Sequence, residues 1–309
     1  MPFSPNFPVM LRTEDGVRID AAHTPPARAS RSAAMDTRGG AGAWRRSVGS
    51  EATRTTGEGG GIEATRAAGE GGGIEAIEAI EPASQRDTDV GIVVAHGFTG
   101  SWRERQARRI VHVLSGYGGV IAFDFRGHGR SGGETTVGDL EILDVEAAVR
   151  HARVVGYEKI AVVGFSMGAA VAVRHAGLRG GVDAVVAVSG PARWYYRGTK
   201  PMRQVHWAIE QPFGRWAARV AKRTRIARGR WDPIPMPPHE AAALITPAPL
   251  LIVHGDADAF FPLEHAHQLY TGAREPKELW IEPGYGHAET AATPALIHRI
   301  GKWISSNFS

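Results

Sequence analysis

The stretch Lys159-Ile160-Ala161-Val162-Val163-Gly164-Phe165-Ser166-Met167-Gly168-Ala169-Ala170 constrains the fold more than any other. Ile160–Val163 is a short apolar run with β-branched residues, the pattern of a strand covered on both faces. Small residues after Ser166 predict a helix packed close to that strand. Between them lies Gly-x-Ser-x-Gly. A serine on such a strand-to-helix turn takes a strained conformation that leaves its hydroxyl bare, and a side chain at either glycine would obstruct the close approach. The Met167 N–H then lies at a helix N-terminus, where negative charge is stabilised.

Strand-like and helical stretches alternate on both sides of this turn. Asp15-Gly16 joins two alternating runs within Pro8–Pro26, the signature of a β-hairpin. Gly91–Ala95 and Gly119–Asp124 read as buried strands separated by a helix over Trp102–Gly116. A further helix is predicted over Val137–Val155 and a strand over Ala184–Val188. Alternation breaks at about Ala192 and resumes with strand Pro249–Val253, helix Leu263–Tyr270, strand Glu278–Ile281 and a last helix from Pro294 to about Asn307. Strands alternating with helices imply a mainly parallel, doubly wound α/β sheet, with the leading hairpin at an antiparallel edge.

Two segments stand outside that rhythm. Residues 27–89 lose hydrophobic pattern, and Glu51–Ile62 is nearly repeated as Glu63–Ile74, with a degenerate third copy from Glu75. Repeats rich in Gly, Glu, Ala and Thr bury too little apolar surface to offset chain entropy, so 27–89 is predicted to be a disordered insertion. A tethering or partner-binding role is the alternative. Residues 192–247 carry Trp194, Tyr195, Tyr196, Trp207, Phe213, Trp216 and Trp231 among many arginines and lysines. They are expected to form a helical cap above the strand ends. The expected division is therefore 1–26 hairpin, 27–89 insertion, 90–191 core, 192–247 cap and 248–309 core.

Composition narrows the chemistry. The chain has 309 residues and no cysteine, which excludes disulfides, thiolate catalysis and thiolate metal sites. The net charge of +4 is modest, and no aromatic-interleaved basic run or zinc-finger spacing points to nucleic acid. No apolar run approaches the ~18–20 residues that span a bilayer. Met1–Met10 has no basic stretch followed by an apolar one, so a cytoplasmic protein is expected.

A serine nucleophile needs a base for its proton and a carboxylate to orient that base. In a doubly wound sheet such groups lie beyond the C-terminal strand ends. Two loops qualify: His254-Gly255-Asp256-Ala257-Asp258 after one late strand, and Gly284-Tyr285-Gly286-His287 after the next. The chain order Ser166, Asp258, His287 is the serine–acid–histidine order of the α/β-hydrolase arrangement. His254, Asp256, Asp258, His265 and His267 are dense enough to raise a metal reading. However, His265 and His267 fall on a helix, where i and i+2 do not share a face, so no metal is expected. Gly127–Gly133 lacks the Gly-Lys-Ser/Thr ending of a phosphate loop, and no nucleotide cofactor is implied.

Five motifs in order carry a family resemblance: His96-Gly97-Phe98-Thr99-Gly100, Asp124-Phe125-Arg126-Gly127-His128-Gly129, Gly164–Gly168, Gly255-Asp256-Ala257-Asp258 with Pro262, and Gly286-His287. The chain resembles an α/β-hydrolase-fold serine hydrolase of the capped branch that includes carboxylesterases, monoacylglycerol lipase-like enzymes and serine aminopeptidase-like proteins. The repeat tract has no counterpart there. The resemblance implies Ser166 as nucleophile, His287 as general base and then acid, and Asp258 as the carboxylate that orients it. Family spacing picks Asp258 over its rival Asp256. Phe98 and Met167 would supply the oxyanion-hole N–H groups. His96, His128 and Asp124 are read as braces of their glycine-rich loops.

The implied activity is cleavage of a small-molecule carboxylic ester, lipid-like substrates included, without a cofactor. Amide or peptide cleavage by the same triad, and a non-catalytic binding protein on this fold, are the alternatives. Cap aromatics can line an acyl pocket or, as is expected of most of them, pack the cap's own core. Basic cap residues such as Arg197, Lys200, Arg203, Arg215, Arg219 and Lys222 suit an anionic substrate or weak contact with an acidic membrane surface. A simply solvated basic face is the reading expected first.

Overall fold

The structure is a computed structural model that describes residues 6–27 and 89–308. The repeats fall outside the described residues, as does nearly all of the expected insertion.

An eight-stranded sheet runs in the order β1-β2-β4-β3-β5-β6-β7-β8. Strands β1 (Phe7–Arg12) and β2 (Arg18–Thr24) form the hairpin, turning at Asp15-Gly16, and β2 pairs antiparallel with β4 (Gly119–Phe123). All remaining neighbours are parallel: β3 (Val90–Ala95), β5 (Lys159–Phe165), β6 (Ala184–Val188), β7 (Leu250–Gly255) and β8 (Lys277–Glu282). Every residue of β3, β4, β6 and β7 is buried, because helices cover both faces.

Helices α2 (Ile142–Val155) and α3 (Met167–Arg179) pack with Ile121, Phe123, Val162 and Val185 on one face. On the other, α1 (Arg105–Leu114) and the C-terminal helix Pro294–Asn307 enclose Ile92, Val163, Val186 and Leu251. That last helix starts where the sequence says it should. Thr293 Oγ1 accepts the Leu296 N–H at 3.2 Å, and Pro294 occupies the first helical position.

Two helices begin later than the periodicity predicts, for a common reason. The Trp102 N–H and indole N–H are held by Asp124 and Asp20, both at 3.0 Å, so 102–104 form a turn and α1 starts at Arg105. Buried Glu141 accepts from Thr135 Oγ1, Thr136 N, Thr136 Oγ1 and Gly138 N at 2.7–2.8 Å. With Val137 at φ 60° and Gly138 at φ 118°, residues 137–141 form a loop, and α2 starts at Ile142.

Between β6 and β7 the chain forms α4 (Lys200–Glu210), α5 (Pro212–Lys222) and the short α6 (Pro238–Ala241). Helix α4 has no buried residue, and α5 buries only Gly214 and Ala218. Ala241, Ala242 and Ile245 instead join the core beneath α3. The returning segment is sewn to the loop after β4: Thr135 N bonds Arg225 O, Arg225 N bonds Gly127 O, and Ala227 N bonds Thr135 O, at 2.7–2.9 Å. Between β7 and the final helix, which is α9, lie α7 (Leu263–Gly272) and the one-turn α8 (Ala288–Ala291). Among the described residues no helix is long and apolar enough to cross a membrane.

Candidate active site

Ser166 sits at the end of β5, near the middle of the sheet, at φ 52° and ψ −115°. Its N–H extends the sheet by bonding Val188 O at 2.9 Å, while the chain turns directly into α3. This is the strained, non-glycine conformation that the Gly-x-Ser-x-Gly pattern predicts. The flanking glycines are forced by packing. A Cβ on Gly164 would lie 2.3 Å from the Gly168 carbonyl oxygen, and one on Gly168 would lie 2.2 Å from the Ala95 carbonyl oxygen.

The late loops bring the other two predicted groups to this turn. His287 Nε2 lies 2.9 Å from Ser166 Oγ, and His287 Nδ1 lies 2.8 Å from Asp258 Oδ2. A carboxylate only accepts, so Nδ1 carries the proton and leaves Nε2 to accept from the serine hydroxyl. The Asp258 side chain is fully buried, and burial works against its charge. The His287 bond and the Phe260 and Phe261 N–H groups on Oδ1, at 2.8 and 3.1 Å, outweigh that and hold the carboxyl below its ordinary range. Phe260 also stacks on the His287 ring, 4.3 Å between centroids at 24°.

Asp256, the rival acid, is exposed and accepts the Gly284 N–H at 2.6 Å, so it shapes the turn before His287 and does not meet the imidazole. His254 lies beside Asp258 but donates Nε2–H to Phe261 O at 2.9 Å. Burial lowers its pKa, which keeps that ring neutral. Among the described residues no cluster of three or more His, Asp or Glu side chains is arranged to hold a metal ion.

Phe98 and Met167 line the same cavity as Ser166 and His287. The backbone N–H of neither residue makes a hydrogen bond within the described residues. The brace histidines hold the loop that carries Phe98. His96 Nδ1–H donates to Gly97 O at 2.7 Å while Nε2 accepts the Phe125 N–H at 3.0 Å. Asp124 accepts from Ser101 Oγ, Trp102 N and Arg130 N, as expected of a loop brace.

Sequence reasoning missed three supporting groups. Ser189, at the end of β6, adopts φ 52° and accepts the Ala288 N–H at 3.1 Å. The Tyr285 hydroxyl donates to Ala288 O at 2.7 Å, and Glu289 accepts the Gly97 N–H at 2.6 Å. Only the nearness of Tyr285 and Glu289 to His287 in the chain could have flagged any of them.

The cavity above Ser166 has a volume of about 1550 Å³. Four of the cap aromatics, Trp194, Tyr195, Tyr196 and Trp231, line it. Trp207, Phe213 and Trp216 do not: they contact one another on the outside and remain 49%, 64% and 57% exposed. The expectation that most cap aromatics pack a core of the cap's own is therefore corrected, because α4 and α5 present no buried face large enough to hold them.

Residues 92–297 match the alpha/beta hydrolase family, and the chain belongs to that family. It is 30% identical over 268 residues to a monoacylglycerol lipase from Mycolicibacterium smegmatis, covering 72% of this chain and 90% of the relative. It is 29% identical over 175 residues to the uncharacterised YfhR of Escherichia coli O157:H7. That match covers 55% of this chain and spans only about half (53%) of YfhR. The esterase Pf2001 of Pyrococcus furiosus shares the fold with a TM-score of 0.62 at 22% identity, covering 98% of this chain and 93% of the esterase.

Proposed function

We propose that the protein is a serine hydrolase that cleaves carboxylic esters with an apolar acyl chain. The observation that carries this reading is the continuous contact Ser166 Oγ–His287 Nε2 and His287 Nδ1–Asp258 Oδ2 at the base of a large, aromatic-lined cavity. Ser166 Oγ attacks the carbonyl carbon as His287 takes its proton, and the negative oxygen that develops faces the Phe98 and Met167 N–H groups. The C–O bond to the alcohol breaks, and His287 returns the proton to the leaving oxygen. Water, deprotonated by His287, then attacks the acyl-enzyme and frees the acid and Ser166. Asp258 stabilises the imidazolium formed in each half.

The 192–247 cap is the selectivity element of this reading. Apolar lining from Met202, Val205, Ile209 and Ile234 beside the aromatic residues suits an acyl chain, in keeping with the lipase and esterase among the relatives. Amide cleavage by the same three residues is the nearest rival. The basic residues of the cavity rim favour it less, since a free substrate amine would be repelled there.

The test is hydrolysis of p-nitrophenyl esters across acyl lengths, with labelling of Ser166 by a fluorophosphonate and Ser166→Ala as the control. Ester turnover that falls by about 10⁴-fold or more in the variant supports the proposal. Labelling without ester turnover would move the reading to amides. Absence of both would overturn it and favour a binding protein.

A further inference from the structure

We propose that Glu289 is the positioning residue of the oxyanion loop, acting through the Gly97 peptide. The inference rests on the serine-hydrolase reading but concerns a residue outside the triad.

Gly97 is the residue whose backbone aims the Phe98 N–H, and glycine is the residue least able to hold its own φ and ψ. Both of its peptide groups are clamped. On the N-terminal side its N–H donates to Glu289 Oε1 at 2.6 Å. On the C-terminal side its carbonyl accepts His96 Nδ1–H at 2.7 Å and Gly100 N–H at 3.0 Å. The peptide unit is planar, so fixing the Gly97 carbonyl fixes the Phe98 N–H on the opposite side of the same plane. Holding only the carbonyl would leave rotation about Gly97 free to tilt that plane. The Glu289 bond removes this freedom.

A side chain at position 97 cannot replace the clamp. A Cβ on Gly97 would lie 3.2 Å from Ser166 Cβ and 3.3 Å from Glu289 Oε2, so the glycine is wedged between the nucleophile and the carboxylate. Glu289 belongs to α8, which begins directly after His287 and is held at its start by Ser189 and Tyr285. One short helix and the residue that caps it thus carry the carboxylate that sets the oxyanion donor and the imidazole that meets Ser166. The base and the oxyanion loop are in register because they share this support.

The measurement is kcat and KM on p-nitrophenyl butyrate for Glu289→Ala, Glu289→Asp and Glu289→Gln, with the inhibition constant of a trifluoromethyl ketone that mimics the tetrahedral intermediate. Misaiming one oxyanion donor should cost part of the ~10²–10³-fold seen when a donor is removed. Alanine and aspartate, the latter one methylene too short, should lower kcat by about 10–100-fold. Affinity for the ketone should fall in parallel, with KM within about twofold. Glutamine keeps an acceptor at the same reach and should restore kcat to within about threefold.

If alanine prevents folding, the aspartate and glutamine pair decides the question alone. Full activity in the aspartate variant would overturn the proposal. So would a glutamine variant as impaired as aspartate, because charge rather than reach would then matter. Wild-type protein with neither turnover nor Ser166 labelling would overturn the hydrolase reading itself. An active wild type with indifferent Glu289 variants would overturn only the positioning role.

Discussion

His128 Nε2 accepts the Thr99 N–H at 3.1 Å, so the loop after β4 supports the loop that carries Phe98. Its Nδ1–H is used as well, donating to Arg126 O at 3.0 Å, and the ring is fully buried. Thr99 sits at φ 63°, a conformation that this bond helps to hold. An imidazolium has no acceptor nitrogen, so protonation would break the link to Thr99. Burial, reinforced by the neighbouring His96, pushes the His128 pKa down to about 3.

Acid lability follows from the sign of that shift. A histidine held neutral in the fold binds its proton more readily when unfolded, near pH 6.5. Its stabilising contribution is complete above that pH and is lost as pH falls towards the folded value. His265, pushed down to about 4 chiefly by burial, adds in the same direction. Each such group should cost about 1.4 kcal/mol per pH unit within its window. Thermal unfolding from pH 7.5 to 4.5 should show a falling Tm, with a shallower slope for His128→Gln, which keeps an acceptor for Thr99. Equal slopes would remove His128 from the account.

The two aspartates of the β7 loop should separate cleanly. Asp258→Asn removes the charge that opposes the imidazolium and lets the amide misorient His287, at a cost of about 10⁴-fold in kcat. Asp256→Asn still offers an oxygen to the Gly284 N–H and should stay within about threefold of the wild type. Kinetics of both on one ester would check the assignment, and the reverse order of effects would transfer the acid role to Asp256.

What the sequence could and could not reveal divides along contact distance. The Gly164–Gly168 turn, the hairpin at Asp15-Gly16 and the Thr293-Pro294 helix start are local devices, legible because the residues that set them are adjacent. The convergence of Ser166, Asp258 and His287 was legible through strand order, since each follows a parallel strand that ends on one side of the sheet. The late starts of α1 and α2 were not. Side-chain acceptors on Asp20, Asp124 and Glu141 override helical spacing there, and the Asp20 partner comes from 82 positions away. Glu289 and Gly97 are 192 positions apart, and no periodicity announces their bond.

Gly168 offers a test of the turn that leaves the triad untouched. An added carbon would meet the Ala95 and His96 carbonyl oxygens at 2.2 and 2.6 Å, and both belong to the strand end beneath the active site. Overpacking against backbone costs about 1–3 kcal/mol or more, which in a chain of this size is a Tm loss of at least about 3 °C. Gly168→Ala should show that loss together with reduced turnover. Gly132→Ala is the control, because its new carbon would find only ordinary contacts of 3.4 Å and beyond. A Gly168→Ala protein as stable as the control would mean that the strand–helix approach is looser than these distances imply.

The outer face of the cap carries the last prediction. Phe213 and Trp216 stack at 5.4 Å, Trp207 adjoins Phe213 at 6.1 Å, and all three are about half or more exposed although none lines the cavity. Arg203 and Arg219 lie on the same two helices, and no acidic side chain is paired with them among the described residues. Exposed aromatic side chains on helices that also carry unpaired cations suit the headgroup level of an anionic membrane, where each cation near the surface is worth about 1 kcal/mol. Vesicles rich in phosphatidylserine should therefore retain the protein in flotation assays, phosphatidylcholine vesicles should not, and salt should weaken the binding. Phe213→Ala with Trp216→Ala should lower the bound fraction about tenfold and leave turnover of soluble p-nitrophenyl acetate unchanged. Vesicle binding that survives the double substitution would move the contact elsewhere, and absence of binding by the wild type would leave the basic face simply solvated.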